Sequence, residues 1–441
     1  MARWKSLICL LLVIAGPGAA LGAQTPQAPK AQTAPVVAIR AGRLFDTQSG
    51  QLLTNEVVLV QGDRISMVGP ANQVKIPAGT KVIDLSHATV LPGLVDAHSH
   101  IFDSLPPAVR FKTSPEAWTL IALHSAQADL RGGFTTIREM CTHGEGFGDA
   151  AVQSAIKKGL FVGPRMQITT RGLSTGPKYL GYPGYRIPAG TQNVTGVTAV
   201  RAAVREQIRY GAQWIEVFED GFHTFSPAGK LWVRPSFTLQ ELQAAVDEAH
   251  REHVKVSCDA YGDPGLRDCV EAGVNSIEHG QDISNAELTM MVQKGIYWDP
   301  TLYRYCMPQA VEKDHAISGG KYSLCELSKN TFKRALTRGV KIAFGSGADG
   351  APLHHGTQAV QFAALVNAGM TPLQAMDASL KVDPEMMGWQ DEIGSIQKGY
   401  YADIIAVTGN PLQNISVLEH VKFVMKGGEV ILNDLGTSLS K

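Results

Sequence analysis

Two patterns of apolar and polar residues alternate along this chain. Both ends carry short apolar stretches separated by turn residues: VVAIRAG from Val36, EVVLVQGDRISMVGP from Glu56, KVIDLSHATVLPG from Lys81, GYYADIIAVTG from Gly399 and VKFVMKGGEVIL from Val421. Runs of β-branched residues bounded by glycine, asparagine and proline are typical of strands. We expect residues 36–90 and 389–441 to form one β-sandwich domain with the middle of the chain inserted between them. Separate end domains are the alternative.

The middle of the chain, residues 91–388, alternates short apolar strands with helical patterns such as LQELQAAVDEAHREH. The strand candidates are GLVDAHSH, FTTIREM, PRMQITT, WIEVFEDG, VKVSCDAYG, SIEHG, IYWDPTL and VKIAFGSGADG. Strands followed by helices predict a parallel sheet, and this number of them predicts a (β/α)8 TIM barrel. The expected fold is therefore α/β, a barrel carrying a β-sandwich domain formed from both chain ends.

Polar residues concentrate where the predicted barrel strands end, which is where such barrels carry their chemistry. They are His98, His100, Glu139, Glu216, Asp259, His279, Asp299 and Asp349.

The most specific of these segments is LPGLVDAHSH, which begins at Leu91 and ends in His98-Ser99-His100. Residues i and i+2 of a strand face the same side, so both imidazoles can converge on one ion. Imidazole nitrogen is a good ligand for zinc. Two unrelated surface histidines are the alternative for a bare His-x-His pair.

The segments VLPGLVDAHSH, GGFTTIREM, SIEHG and GSIQKGYYADIIAV resemble the amidohydrolase superfamily. Within it they are most similar to the imidazolonepropionase-like and Xaa-Pro dipeptidase-like group, which includes enzymes that hydrolyse ochratoxin A. The resemblance covers nearly everything after the leader. It implies two divalent metals, usually zinc, held by the His-x-His pair, a carboxylated lysine on the fourth strand and histidines on the fifth and sixth. It also implies a proton-shuttling aspartate on the eighth strand and assembly into a homo-oligomer.

Four residues match the pattern that the resemblance implies. His98 and His100 match the first pair, and His279 in SIEHG matches the histidine of the sixth strand. Asp349 in FGSGADG corresponds to the eighth-strand aspartate, although the family reads closer to FGSDAG, and we expect it to be a metal ligand as well as the proton shuttle. A turn aspartate before Gly350 is the alternative for Asp349.

Two positions depart from the pattern. Glu216 in WIEVF stands where the resemblance implies a carboxylated lysine, and Asp259 in SCDAYG stands where it implies a histidine. Glutamate is shorter than a lysine carbamate, and the new pair makes the ligand set more anionic by about one charge, which favours harder ions than zinc. A natural variant, a degenerate site and a deliberately disabled protein all remain open.

The resemblance implies a metal-dependent amidohydrolase, carboxypeptidase- or dipeptidase-like, acting on N-acyl amino acids or dipeptides with a free carboxylate. Cleavage of ochratoxin A to ochratoxin alpha and phenylalanine is one such reaction. A metal-activated hydroxide would attack the carbonyl, Asp349 would shuttle the proton, and Tyr261 would donate to the oxyanion unless it is a packed rim residue. An impaired protein that only binds peptide-like ligands is the alternative, and a cyclic amidine or lactone substrate is a third possibility.

Substrate-contact candidates lie in loops and after the strand ends, and each has a solvated surface residue as its alternative. The candidates are Arg171, His223, Tyr303, His354 and His355, together with the cations Lys178, Arg186 and Arg304. The segment from Thr170 to Asn193 carries Tyr179, Tyr182 and Tyr185, and we expect it to form a loop over the site.

The amino terminus has the pattern of a secretory signal: a basic start, an apolar run and small residues up to Ala23. The run is shorter than the roughly 20 residues that span a membrane, so we expect cleavage, a flexible leader over residues 24–35, and an exported, periplasmic or secreted protein. An uncleaved anchor is the alternative. With 40 basic and 40 acidic side chains, the chain offers no positive field for nucleic acid.

Of the six cysteines, Cys9 lies in the signal, and the odd remainder excludes a complete disulfide framework. Cys306 and Cys325 could pair in an exported protein.

Overall fold

The computed structural model describes residues 35–110, 112–143, 146–175 and 191–435. The predicted signal peptide and nearly all of the predicted leader lie outside the described residues. So do Lys178, Tyr179, Tyr182, Tyr185 and Arg186 of the expected loop.

The strands, in chain order, are β1 (Val36–Asp46), β2 (Gln51–Gln61), β3 (Arg64–Pro70), β4 (Lys81–Pro92), β5 (Leu94–Ser99), β6 (Phe134–Glu139), β7 (Arg165–Ile168), β8 (Leu173–Ser174), β9 (Gln192–Asn193), β10 (Trp214–Phe218), β11 (Asp220–Phe225), β12 (Leu231–Pro235), β13 (Lys255–Ala260), β14 (Ser276–His279), β15 (Tyr297–Asp299), β16 (Ile404–Val407), β17 (Val421–Lys426) and β18 (Glu429–Asn433).

The α-helices are α1 (Pro107–Arg110), α2 (Pro115–Arg131), α3 (Gly148–Lys157), α4 (Val197–Arg209), α5 (Leu239–Arg251), α6 (Gly265–Ala272), α7 (Asn285–Lys294), α8 (Leu302–Cys306), α9 (Pro308–Ser318), α10 (Leu324–Arg338), α11 (Val360–Ala368), α12 (Pro372–Asp377) and α13 (Asp383–Met387). Short 3-10 turns cover Ile101–Asp103 and Ile415–His420, and a π turn covers Ala378–Val382.

Both chain ends contribute to one seven-stranded sheet with the order β18-β17-β16-β4-β1-β2-β3. The central strand β4 pairs in parallel with β1 and antiparallel with β16, where Pro92 lies opposite Ile404. The alternating apolar residues of these strands, such as Ile39, Val58 and Ile83, form a buried cluster of their own. The expectation that one sheet unit is built from both ends is therefore confirmed.

The middle of the chain forms the predicted barrel. Strands β5, β6 and β7 pair in parallel, as do β10, β13, β14 and β15. The backbone N–H of Gln213 donates to the carbonyl of Ile168 at 3.0 Å and links the two sets. Residues 342–348 complete the ring through parallel bridges from Ile342 to Trp298 and from Ala348 to Ser99. All eight predicted strands thus lie in one barrel, with their carboxyl ends at one face.

The helices begin where the sequence supplies caps. Thr238 and Glu241 form a capping box at α5, and Ser284 and Glu287 form another at α7. The buried face of α5 carries Leu242 and neighbouring alanines against the barrel. The structure adds an antiparallel hairpin, β11 and β12, where the sequence pattern predicts only the end of one strand.

Disulfides join Cys258 to Cys269 and Cys306 to Cys325, and Cys141 is a buried thiol outside both disulfides. The suggested Cys306–Cys325 pair is thus present. Within the described part of the chain, no helix is both long enough and apolar enough to cross a membrane.

Candidate active site

Strand register brings the predicted polar residues to the carboxyl face of the barrel. In the ladder between β13 and β14, Asp259 lies opposite Glu278 and Ala260 opposite His279. In the ladder between β10 and β13, Glu216 lies opposite Ser257, and Phe218 lies opposite Asp259. Glu216, Asp259 and His279 are 1%, 4% and 5% exposed. The barrel therefore holds these side chains at a nearly water-free mouth.

The imidazoles of His98 and His100 face each other, with their Nε2 atoms 3.0 Å apart. Nδ1 of His98 lies 2.9 Å from the Glu278 carboxylate, and Nδ1 of His100 lies against the Met140 carbonyl. Carboxylates and carbonyls only accept hydrogen bonds, so both Nδ1 atoms carry the proton and both Nε2 atoms carry lone pairs. Burial lowers the pKa of His98 to about 4, against the opposing effect of Glu278, and lowers that of His100 well below its ordinary value.

Two lone pairs at this separation repel each other unless a cation lies between them. Zinc–imidazole bonds are about 2.0–2.1 Å long, so nitrogens 3.0 Å apart can both reach one ion. The His98–His100 pair therefore fits a metal ion.

Glu278 and Arg138 hold His98 in this orientation. The Glu278 carboxylate accepts from His98 and, at 2.8 Å, from Nη2 of Arg138, and Ser276 Oγ donates to it at 2.5 Å. Burial raises the pKa of Glu278, but Arg138 and His98 outweigh it and lower the pKa to about 2. Such an outer partner fixes the tautomer and the ring orientation of a metal-binding histidine.

His279 is aimed by its own neighbours. Its Nδ1 lies 2.7 Å from Thr301 Oγ1, and its Nε2 lies 3.7 Å from Asp259 Oδ2. The ring centroid is 5.0 Å from that of His98. His279 has φ +72°, a strained conformation that is tolerated where surrounding contacts impose it, often at functional sites.

Asp299 lies deeper, with Oδ2 3.6 Å from His98 Nδ1. An added Cβ at Gly345 would lie 1.7 Å from that oxygen, so only glycine leaves room for the carboxylate. Burial raises the pKa of Asp299 well above its usual value, and the Glu278 charge raises it further. His98, Glu278 and Asp299 have ligating atoms within 4.8 Å of one another.

Asp349 lies beside the histidine pair but is bound elsewhere. The backbone N–H of His100 donates to the carbonyl of Ala348 at 2.8 Å, which places Asp349 next to His100. Its Oδ2 lies 2.5 Å from Nη1 of Arg304. The neighbouring Gly347, with φ +65°, donates its N–H to the His98 carbonyl at 2.7 Å.

An aromatic wall, formed by Tyr261, Tyr305, His223 and Phe225, lines one side of the mouth. Tyr305 OH donates to Tyr261 OH at 3.0 Å, and both rings lie within 5.4 Å of the His279 ring. His223 has its ring 5.8 Å from Tyr261 and 6.1 Å from Phe225. A hydroxyl that accepts a hydrogen bond becomes a stronger donor through its own proton.

The comparisons with known proteins agree with this geometry. The model of the Amidohydrolase family matches residues 89–431. The chain belongs to the amidohydrolase family. The ochratoxinase of Aspergillus niger is 28% identical over 440 residues, which cover 90% of this chain and 87% of that protein.

Two solved structures are similar to this amidohydrolase. A Xaa-Pro dipeptidase with methionine bound in its active site has a TM-score of 0.78 at 30% identity and covers 90% of this chain and 100% of its own. The crystal structure of A. niger ochratoxinase has a TM-score of 0.75 at 27% identity, with 92% and 99% covered. These relatives are hydrolases, and their structures confirm the predicted fold class. Members of the amidohydrolase family are generally metal-dependent.

The remaining predicted contact residues of the amidohydrolase are spread around the mouth and beyond it. His223 lies 3.2 Å from Asp314 on α9, and the N–H of Tyr303 donates to Gln361 Oε1 at 2.8 Å. Arg171 is half-buried and precedes the part of the chain that is not described, and His354 is exposed. None of these placements tests the predicted roles.

His355 lies behind the site of the amidohydrolase. Its Nδ1 is 3.0 Å from Asp129, and its Nε2 is 3.3 Å from the His100 carbonyl. Burial lowers the pKa of His355, but Asp129 outweighs it, so that the net pKa is raised. This placement favours support of the His100 backbone over substrate contact.

Several functional candidates of the amidohydrolase are missing from the sequence prediction. They are Arg138, His143, Glu278, Thr301 and Tyr305. His143 follows β6, and its Nε2 lies 3.0 Å from Nδ1 of His100. Two sequence features could have indicated Arg138 and Glu278. One is an arginine inside the predicted strand segment FTTIRE, and the other is the glutamate that precedes the histidine in SIEHG.

Proposed function

We propose that this chain is a metal-dependent amidohydrolase that cleaves amide bonds next to a free carboxylate, as in N-acyl amino acids and dipeptides. The observation that carries the proposal is the pair of lone-pair nitrogens on His98 and His100, 3.0 Å apart at the carboxyl end of the barrel. Protein interiors do not keep two such nitrogens together without a cation or a proton between them, and burial lowers the pKa of both groups.

The residues that would hold metal are His98, His100, Glu216, Asp259, His279 and Asp349. This set of nitrogen and carboxylate donors suits zinc and also harder divalent ions, and we propose two zinc ions. Bound there, a divalent metal lowers the pKa of water and polarises the carbonyl of the substrate.

The protein's own groups supply proton transfer and orientation. Asp349 is the carboxylate next to His100, and we assign to it the transfer of a proton from water to the departing amine. We assign to Tyr261, which accepts from Tyr305, a hydrogen bond to the oxygen of the reacting carbonyl. Arg304 brings a cation to the same mouth and would attract the carboxylate of the substrate.

The aromatic wall supports an aromatic side chain on the substrate. Tyr261, Tyr305, His223 and Phe225 offer ring faces and edges within one cluster. Ochratoxin A, an N-acyl derivative of phenylalanine, is therefore a reasonable candidate, in line with the name of the A. niger relative.

The test is metal content by elemental analysis together with hydrolysis of N-acetyl-L-phenylalanine, ochratoxin A and a panel of dipeptides. We expect bound divalent metal and release of phenylalanine. His98→Ala should lose both, whereas His124→Ala, at an exposed position of α2, should lose neither. A purified protein that retains metal but hydrolyses none of these substrates would contradict the proposal.

A non-catalytic protein that binds peptide-like ligands is the second candidate, and Glu216 and Asp259 favour it. Both carboxyl groups are buried at the mouth, and Asp259 Oδ2 lies 3.7 Å from His279 Nε2. The double variant Glu216→Lys plus Asp259→His distinguishes the two functions. If only the double variant hydrolyses N-acetyl-L-phenylalanine, the natural chain is a binding protein. If the natural chain is active, its ligand set is a working variant.

A further inference from the structure

Arg304 and Asp349 form an ion pair that uses only part of each group. Nη1 of Arg304 lies 2.5 Å from Asp349 Oδ2 and donates to the Gly347 carbonyl at 2.8 Å. Among the described residues, Nε and Nη2 of this guanidinium make no hydrogen bond, and the other Asp349 oxygen, Oδ1, is buried without a hydrogen-bond partner. The side chains are 31% and 12% exposed, so the pair lies at the open side of the site.

This arrangement is the weaker of the two forms that an arginine–carboxylate pair can take. A guanidinium presents a planar fork that binds a carboxylate through two parallel hydrogen bonds, which is the stronger and more specific geometry. Here Nη1 alone serves both Asp349 and Gly347, so the remaining donors of the fork can receive a second carboxylate.

We propose that Arg304 selects substrates with a free carboxylate through an exchange of partners, in which the substrate carboxylate takes the guanidinium and releases Asp349. The proposal rests on the proposed amidohydrolase function, and it names the residue that sets its substrate class. No bond to carbon forms or breaks in this step: one ion pair replaces another, and the charge of the site changes only by that of the bound substrate.

The positions of the two residues make the exchange productive. Asp349 is tied to the histidine pair through its backbone, because Ala348 accepts from His100 N–H at 2.8 Å. Arg304 belongs to α8, which follows β15, and it is flanked by Tyr305 of the aromatic wall. A carboxylate on Arg304 therefore anchors the substrate at the wall while Asp349 stays within the reacting region.

Charge at the mouth explains why an arginine is needed there. Glu216, Asp259 and Asp299 are buried carboxyl groups around the histidines. A substrate carboxylate would be repelled by any of these that is ionised, and Arg304 is the nearby cation that offsets the repulsion. A substrate without a carboxylate leaves Asp349 bound to Arg304. Removing the carboxylate from the substrate should therefore lower kcat as well as raise KM.

The experiment compares N-acetyl-L-phenylalanine with N-acetyl-L-phenylalaninamide, which lacks the charge. In the wild-type protein, we expect kcat for the amide to be at least about tenfold lower, as the loss of a charge-assisted bidentate contact implies. In Arg304→Met no guanidinium holds Asp349, so kcat for the amide should rise toward that of the acid, while KM for the acid should increase. Arg304→Lys should give an intermediate kcat ratio because it keeps the charge without the fork. Arg251→Met, at the exposed end of α5, is the matched control.

A second measurement needs no variant. Acetate added at millimolar concentrations should accelerate hydrolysis of the uncharged amide by wild-type protein, because acetate can take the place of Asp349 on the guanidinium. It should have no such effect on Arg304→Met. This measurement keeps the proposal testable even if Arg304→Met does not fold.

The outcomes separate the two levels of the proposal. Equal kcat values for acid and amide in the wild-type protein, or an unchanged ratio in Arg304→Met, overturn the exchange and leave the amidohydrolase function standing. Hydrolysis of neither compound by a metal-loaded protein overturns the function itself and the exchange with it.

Discussion

The Glu278 carboxylate lies 2.9 Å from Nδ1 of His98, and both side chains are buried. Arg138 reaches the same carboxylate from β6 at 2.8 Å, so the three groups form a chain from the barrel interior to the proposed metal. Arg138 keeps Glu278 ionised, and ionised Glu278 keeps the proton of His98 on Nδ1. The state of one imidazole thus depends on residues from three barrel strands.

Replacement of Glu278 by glutamine should weaken metal binding and activity by about 10–100-fold, the usual effect of removing an outer partner of a metal-binding histidine. A glutamine amide no longer requires a proton on His98 Nδ1, and it carries no charge for Arg138. The measurements are metal content after dialysis against a chelator and kcat/KM for N-acetyl-L-phenylalanine. Glu252→Gln, at an exposed position after α5, is the control. Full metal retention in Glu278→Gln would refute the role of Glu278.

Arg138→Met should destabilise the fold by about 3–5 kcal/mol, because removing one partner leaves the other charge buried and uncompensated. Arg138 is fully buried and also lies 4.3 Å from the centre of the Trp214 ring, which methionine can still contact. Urea unfolding of the metal-free protein measures the loss, with Arg251→Met as the control. The double variant Arg138→Met plus Glu278→Gln should recover part of it. A loss in Arg138→Met no larger than that of the control would contradict the prediction.

The fold was predictable because its signals are local and repeated. The alternation of strands and helices in the barrel, and the short strands at both chain ends, are encoded by residues close together in the sequence. A single sequence is therefore sufficient to predict them. The hairpin of β11 and β12 was not predictable in the same way, because the segment DGFHTFSPAGKLWVRP mixes polar, apolar and turn residues without a regular period. Its strands pair only with each other in the described part of the chain.

The site was predictable only where a motif carries it. The His-x-His spacing predicts that two imidazoles converge, and the Nε2 atoms of His98 on β5 and of His100, just after it, lie 3.0 Å apart. The contact between Arg138 and Glu278 joins residues 140 positions apart across the barrel interior, and no local pattern indicates it. The pairing of Asp349 with Arg304 likewise depends on how α8 packs over the eighth strand. The roles proposed for Glu216 and Asp259 stay predictions.

Glu219→Gln should make the stability of the protein less dependent on pH. Burial raises the pKa of Glu219 to about 9; the Phe237 N–H, which donates at 2.9 Å, opposes this rise, and the Asp220 charge adds to it. The folded state keeps this proton through neutral pH, whereas the unfolded chain releases it above about 4.5. The unfolded state therefore binds fewer protons between these values, and stability falls as pH rises through that window.

Glutamine imitates the protonated glutamic acid and cannot release a proton. Relative to wild type, Glu219→Gln should gain up to about 1.4 kcal/mol of stability per pH unit between pH 5 and pH 9, the value for one proton. Urea midpoints at pH 6, 7.5 and 9 check this, and Glu252→Gln should follow the wild type. Parallel curves for Glu219→Gln and wild type would show that Glu219 is ionised in the folded protein.

The Cys306–Cys325 disulfide should contribute to stability and to substrate binding. It joins α8 to α10 and closes a loop with a sequence separation of 19 residues, for which chain entropy gives about 3 kcal/mol. Because α8 carries Arg304 and Tyr305, Cys325→Ala should also raise KM for N-acetyl-L-phenylalanine more than for its amide. The measurements are thermal unfolding and steady-state kinetics, with Lys333→Ala on the exposed side of α10 as the control.

Reduction distinguishes the contribution of this disulfide to stability from that of the disulfide between Cys258 and Cys269. A reductant should lower the melting temperature of wild type by more than it lowers that of Cys325→Ala, because the variant has only the second disulfide left to lose. An equal effect on both proteins would mean that Cys306 and Cys325 are not joined in solution. An unchanged KM ratio together with a lowered melting temperature would mean that the disulfide supports the fold but does not position Arg304.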